Sequence, residues 1–170
     1  MGKGDNAASL RPTTDRVREA LFGMLEGGRF GAPFDETRVL DLFAGTGALG
    51  LEALSRGAKQ ATFVERGRVG ARLIRENIAL LGASDRTRLI NSDAARLPVG
   101  EPCDLIFLDP PYGKDLGQKA LASALTSGWI TQGALIVWEE ATAQGAPEGF
   151  TLLESRRYGD SVITLMERSR

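Results

Sequence analysis

Apolar and polar positions along this chain switch between two periods. From residue 14 to residue 26 the apolar side chains Val17, Ala20, Leu21, Met24 and Leu25 recur at i, i+3, i+4, i+7 and i+8, which is one face of a helix. Thr13 or Thr14 can cap it, Asp15 sits in its first turn, and Gly27-Gly28 ends it. Strand and helix patterns then take turns. A short apolar run at 39–43 stops at Ala44-Gly45-Thr46-Gly47, and a helical pattern over 48–56 stops at Gly57. Residues 61–65 read as a strand, 69–81 as a helix stopped by Gly82, and 88–91 as a short strand. A strongly apolar strand at 104–108, a helix at 116–127 and a buried strand at 134–139 continue the series. Such alternation predicts βαβ units, hence a parallel sheet with helices on both faces. The last segment departs from it. Runs at 150–158 and 161–167, separated by the turn pair Gly159-Asp160, predict an antiparallel hairpin on the sheet edge. The expected fold is α/β, with a mostly parallel seven-stranded sheet and a C-terminal antiparallel hairpin. Residues 1–10 are small and polar and are expected to be a poorly ordered or shortened N-terminal extension, with 11–170 a single domain.

Composition narrows the chemistry. The 170 residues are 42% hydrophobic and 25% charged, an ordinary globular balance. No apolar run approaches the roughly 20 residues of a membrane-spanning helix, and the polar start Met1-Gly2-Lys3-Gly4-Asp5-Asn6 does not read as a secretory signal. A cytoplasmic protein without membrane contact is expected. The single cysteine, Cys103, excludes an internal disulfide and a multi-cysteine metal site. The absence of histidine excludes Ser-His, Cys-His and His-ligated metal mechanisms. Chemistry must therefore run on carboxylates, hydroxyls, arginines, backbone dipoles or a cofactor, and no metal is expected. Arginine supplies 17 of the 21 basic residues, yet the net charge is only -1, so charge by itself does not argue for nucleic acid.

The first candidate site is the junction 39–50. Open α/β sheets bind ligands at the carboxyl ends of their strands. Gly45 and Gly47 permit a tight turn and a close approach, and the following helix start presents free N–H groups. Asp41 stands on an otherwise apolar strand. An acid there can pair with a ligand ammonium, whereas it would repel a pyrophosphate, so it favours S-adenosylmethionine (SAM) over a dinucleotide; the other reading is a loop-bracing or helix-capping carboxylate. Glu65, 24 residues on, can accept both ribose hydroxyls. In the stretch Asn91-Ser92-Asp93, Asp93 can accept from an adenine amino group and the Ala94 N–H can face adenine N1; a plain turn is the alternative.

The second candidate site is Asp109-Pro110-Pro111-Tyr112, at the carboxyl end of the apolar strand 104–108. Two prolines fix φ and remove two backbone donors, leaving rigid carbonyl acceptors. Asp109 adds another acceptor and Tyr112 a flat face for stacking. The exocyclic amino group of a base needs this set. Its lone pair is delocalised into the ring, and two acceptors on its two N–H bonds would aim that lone pair at an incoming methyl. Tyr112 would hold the base out of its stack. No histidine or metal is required.

A parallel sheet closed by a terminal antiparallel hairpin resembles the class I SAM-dependent methyltransferase (Rossmann-like) fold. The pairing of Asp41-Leu42-Phe43-Ala44-Gly45-Thr46-Gly47 with Asp109-Pro110-Pro111-Tyr112, 68 residues apart, looks like the amino methyltransferases. With Arg11-Pro12-Thr13-Thr14-Asp15-Arg16-Val17-Arg18-Glu19-Ala20-Leu21-Phe22, the run 41–58 and Tyr158-Gly159-Asp160 followed by Ile163, the chain resembles the RsmD family over residues 11–167. That resemblance implies methylation of a guanine N2 in bacterial 16S ribosomal RNA, on the small subunit or its assembly precursor; a monomer is expected, with the oligomeric state left open by the sequence. SAM would be converted to S-adenosylhomocysteine. It places the base chemistry on Asp109, Pro110, Pro111 and Tyr112. It places SAM on Arg11, Thr13, Asp41, Phe43, Ala44, Gly45, Thr46, Gly47, Glu65, Arg66, Ser92, Asp93 and Ala94. Members of the family usually carry a basic β-hairpin before the Arg-Pro-Thr segment, where this chain has residues 1–10; weaker RNA affinity is the expectation.

Rival readings are an adenine-N6 DNA methyltransferase, a glutamine-amide protein methyltransferase (which usually has Asn where Asp109 stands) and a non-catalytic SAM- or RNA-binding module. Arg16, Arg18, Arg66, Arg68, Arg72, Arg75 and Lys114 are candidates for phosphate contact, with a solvated face as the alternative. Trp129, Trp138 and Cys103 are expected in the core. Glu139 and Glu140 end a strand at the site's rim, as substrate contacts or strand-end charges.

Overall fold

The computed structural model describes residues 14–170, so Arg11 and Thr13, and the expected extension at 1–10, lie outside the described residues. The chain runs α1 (Asp15–Leu25), β1 (Arg38–Leu42), α2 (Ala48–Ser55), β2 (Gln60–Val64), α3 (Arg68–Leu80), a 3-10 turn (Ser84–Arg86), β3 (Thr87–Ile90), β4 (Cys103–Leu108), α4 (Leu116–Thr126), β5 (Ile130–Glu140), β6 (Phe150–Tyr158) and β7 (Ser161–Arg168). The seven strands form one sheet in the order β3-β2-β1-β4-β5-β7-β6. β1 to β5 are parallel, and β7 is antiparallel to both β5 and β6. After β1 the chain winds outward through β2 and β3, then returns to lay β4 on the other side of β1. The crevice of an α/β sheet opens at such a reversal.

Strand alternation sorts the core into two faces. Val39, Leu105, Phe107 and Val137 pack with α1, α2 and α3, while Leu40, Leu42, Ile106, Leu108 and Trp138 pack with α4 and Trp129. Strands buried on both faces account for the near-continuous apolar runs. α1 starts where expected: Thr14 Oγ1 accepts the Val17 N–H at 3.3 Å. Its buried face is rotated from the expected one. Leu21, Phe22 and Leu25 are inside while Ala20 is exposed. Phe22 sets the angle, stacking on Phe34 at 5.2 Å and meeting Phe107 at 5.7 Å, and burial of one such ring stabilises by about 1.5–3 kcal/mol.

β5 begins four residues earlier than the pattern predicts. Its first residues pair Ile130 with Cys103 before a bulge, and Gly133 takes a left-handed φ of 79°. The run Thr131-Gln132-Gly133 hides this start from an apolar count. Trp129, Trp138 and Cys103 are buried as expected, and burial pushes the Cys103 thiol up to about 12, leaving it inert. Among the described residues no helix is long and apolar enough to cross a membrane.

Candidate active site

β1 and β4 are neighbours, with Leu42 opposite Leu108, and the Asp109 N–H donates to the Leu42 carbonyl at 3.4 Å. The glycine loop at 43–47 and the tetrad at 109–112 therefore leave the sheet side by side at one rim.

The glycine loop is held by its own backbone. Ala44 N–H donates to the Val64 carbonyl at 3.0 Å, and Gly47 N–H to the Ala44 carbonyl at 2.8 Å. Asn77 Nδ2 donates to the Thr46 carbonyl at 3.0 Å. Gly45 and Gly47 take φ of 61° and 81°, open to glycine at no steric cost. Phe43 takes φ 60°, an unfavourable conformation for an aromatic residue and of the kind concentrated at functional sites. Its ring packs on the α4-side core.

Two acids brace this loop from the strand ends. Asp41 is only 1% exposed, and its Oδ2 accepts the Gly50 N–H of α2 at 3.0 Å. Burial pushes its carboxyl from 3.8 up to about 8, and the nearby Glu65 charge adds to the rise while the Gly50 hydrogen bond opposes it. The structure thus realises the bracing role for Asp41, with a carboxyl protonated near neutrality. Gly50 is required there: a Cβ on it would lie 2.5 Å from the Phe63 ring and 3.2 Å from Asp41 Oδ2. Glu65, half-buried just after β2, accepts the Gly45 N–H on Oε1 and the Gly67 N–H on Oε2, both at 2.9 Å. It ties the glycine loop to the start of α3. Gly70 makes room for it, since a Cβ there would sit 2.9 Å from its carboxyl carbon.

Around the third strand end, Asn91 Nδ2 donates to the Glu65 carbonyl at 2.7 Å and reaches the Arg66 carbonyl at 3.2 Å, joining the ends of β2 and β3. Asp93 Oδ1 accepts the Ala95 N–H at 2.9 Å, a local turn bond. Ser92 and Asp93 are half-buried, Ala94 is buried and Arg66 is exposed. The strand ends thus bring Asp41, the loop 43–47, Glu65 and the 92–94 turn to one rim of the sheet.

The tetrad is anchored differently. Pro110 is buried, Pro111 exposed, and Asp109 and Tyr112 half-buried. The Tyr112 hydroxyl lies 3.0 Å from Ser161 Oγ, which donates to Glu139 Oε2 at 2.9 Å. Glu140 Oε1 accepts the Gly113 N–H at 3.4 Å, and Oε2 accepts Trp138 Nε1–H at 3.0 Å. Both acids are buried, at 7% and 5% exposure. They are internal braces for the tetrad loop, neither solvated strand-end charges nor open substrate contacts. Ser161 escaped the sequence reading because Gly-Asp-Ser reads only as a turn. Of the arginines considered for phosphate, Arg18 pairs with Asp15 at 2.9 Å, and Arg72 lies 3.9 Å from Glu76; Arg16, Arg66, Arg68, Arg75 and Lys114 are exposed.

The rim thus carries a loop rich in backbone donors next to a proline-stiffened loop rich in acceptors. Comparison with known proteins finds methyltransferases. A family model described as "Conserved hypothetical protein 95" matches residues 3–167. Ribosomal RNA small subunit methyltransferase D of Escherichia coli is 40% identical over 145 residues, covering 84% of this chain and 70% of that protein. Its namesake in Haemophilus influenzae is 36% identical over 162 residues, covering 91% of this chain and 81% of that one. The solved structure of the yhhF protein of Escherichia coli superposes with a TM-score of 0.80 at 36% identity, over 94% of this chain and 88% of that one. The sheet order, the paired rim loops and these relatives agree with the resemblance read from the motifs, and the chain belongs to the RsmD family of methyltransferases.

Proposed function

We propose that this protein transfers a methyl group from SAM to the exocyclic N2 of a guanine in 16S ribosomal RNA, on the small subunit or its assembly precursor in the cytoplasm. One observation carries the reading: the tetrad and the glycine loop leave adjacent parallel strands, in register at Leu42 and Leu108. An acceptor set for an amine and a cradle for a methyl donor then share one crevice.

The residues fit SAM. The loop backbone turns through left-handed Gly45 and Gly47, and Glu65, just after the next strand, lies against it. Asp41, the loop 43–47, Glu65, Arg66 and the turn 92–94 would hold it. When bound, SAM supplies a methyl group activated by its sulfonium. This chain's residues orient the acceptor. Asp109 and the Pro110 carbonyl accept hydrogen bonds from the two N–H groups of the guanine amine, direct its lone pair, and stabilise the positive charge that develops on nitrogen as the C–S bond breaks; the nitrogen then gives up one proton to solvent. Tyr112 offers its face to the flipped base.

The test is methyl transfer from labelled SAM to unmodified small ribosomal subunits, with genomic DNA in parallel and nucleoside analysis of the product. N2-methylguanosine is expected from the ribosomal substrate. Asp109→Ala is expected to lower turnover by about 100-fold or more, with SAM affinity nearly unchanged. N6-methyladenosine in DNA would overturn the reading, and an Asp109→Ala variant as active as wild type would remove Asp109 from the chemistry.

A further inference from the structure

We infer that Ser161 and Glu139 are positioning residues for Tyr112, fixing the ring against which the target base is held; the inference rests on the proposed role of Tyr112. The hydrogen bonds have one consistent direction. A carboxylate can only accept, so Ser161 gives its proton to Glu139 Oε2 at 2.9 Å, and the Ser161 oxygen then accepts from the Tyr112 hydroxyl at 3.0 Å. The relay gives the Tyr112 hydroxyl a fixed partner on β7 and so tethers the far end of the ring.

The loop needs that second point of attachment. Upstream of Tyr112 the backbone is stiffened by Pro110 and Pro111, and Pro110 is buried. Downstream, Gly113 has φ 73° and Asp115 φ 56°, with Gly113, Lys114 and Asp115 all exposed. The bond on that side, from the Gly113 N–H to Glu140, is long at 3.4 Å. The Ser161 bond gives this half-buried ring, set between a stiff and a loose segment, a tether at its hydroxyl. The tether is itself rigid. Glu139 is buried on β5 opposite Ile163, and Ser161 opens β7 directly after the Gly159-Asp160 turn. The hairpin that edges the sheet therefore also places a hydroxyl at the catalytic rim.

The experiment measures single-turnover methyl transfer to unmodified small ribosomal subunits, SAM affinity and melting temperature for the full chain. Ser161→Ala and Tyr112→Phe are each expected to slow transfer by about tenfold or more, since small misplacements of reacting groups have effects of that order, while SAM affinity stays within about twofold. Ser161→Thr, which keeps the hydroxyl, is expected to recover most of the rate. Glu139→Gln is expected to fall between wild type and Ser161→Ala. The double variant Tyr112→Phe/Ser161→Ala should be no slower than either single one, because both remove the same bond. A Ser161→Ala protein that melts earlier but transfers at the wild-type rate would overturn the inference, as would additive losses in the double variant. Tyr112→Ala separates the two levels. If it turns over like wild type, the role proposed for Tyr112 has failed. If it is inactive while Ser161→Ala is not, only the positioning role has failed.

Discussion

The glycine loop after β1 and the tetrad loop after β4 solve one mechanical problem in opposite ways. Each must stay open at the rim and still hold its shape. The glycine loop bends through left-handed positions at Phe43, Gly45 and Gly47; Glu65 beside it grips the Gly45 amide, and Asp41 from its own strand grips the Gly50 amide of the helix that follows. The tetrad loop is stiffened from within by two prolines and gripped by Glu139, Glu140 and Ser161 from β5 and β7. The first arrangement fixes a tight turn by gripping its amides, and the second removes donors so that acceptors remain. An enzyme that brings a methyl donor to an amine needs both kinds of surface, one beside the other.

The strongest break in this comparison comes at Glu65. Glu65→Ala removes two charge-assisted bonds, to Gly45 and Gly67, each worth roughly 1.5–3 kcal/mol. SAM affinity is expected to fall by about 100-fold or more, while the Tyr112–Ser161 side is untouched; unchanged affinity by calorimetry would show that the loop holds itself. Gly50→Ala comes next. Helix propensity favours alanine by up to about 1 kcal/mol, but the new Cβ would lie 2.5 Å from the buried Phe63 ring, and overpacking costs about 1–3 kcal/mol. A lower melting temperature is expected, by about 2–8 °C, and a rise would mean that the ring yields easily.

Asp41→Asn gives the most diagnostic effect, because it depends on pH. The folded carboxyl titrates at about 8 rather than 3.8, so the folded chain keeps a proton that the unfolded chain has already released. The stability linked to this group is complete below about pH 4, declines as pH rises through 8, and levels off above that. Asparagine carries no such proton. The variant should gain on wild type between pH 6 and 8, by on the order of 1 kcal/mol per pH unit. Parallel denaturation curves at the two pH values would show that Asp41 is ionised in the folded protein.

These two loops were unequally legible in the sequence. Asp41 and Glu65 stood out because an acid on an apolar strand is conspicuous, and their braces lie within 24 residues of each other. Even so, sequence could not show that Gly50 would turn the Asp41 carboxyl inward. Asp109 to Tyr112 announced themselves through the paired prolines, but not what holds them. Ser161 is 49 residues from Tyr112 and meets it only because β7 runs back toward the rim. Glu139 and Glu140 read as substrate contacts or strand-end charges, because burial at a strand end depends on the loop folded over them. Elements with a clear period were legible throughout. The early start of β5 was not, because a bulge and a polar run interrupt its alternation.

The place of β7 in the sheet also bears on how the protein is made. β7 is later in the chain than β6 but lies between β5 and β6, and among the described residues β6 pairs with no other strand. During synthesis the edge of β5 stays open, and β6 has no ladder partner, until residues 161–168 leave the ribosome. The first of those residues to emerge, Ser161, is the one that reaches Tyr112. Closing the sheet and completing the target-side rim are therefore one folding event, so a nascent chain that can already shape its glycine loop still lacks the finished site.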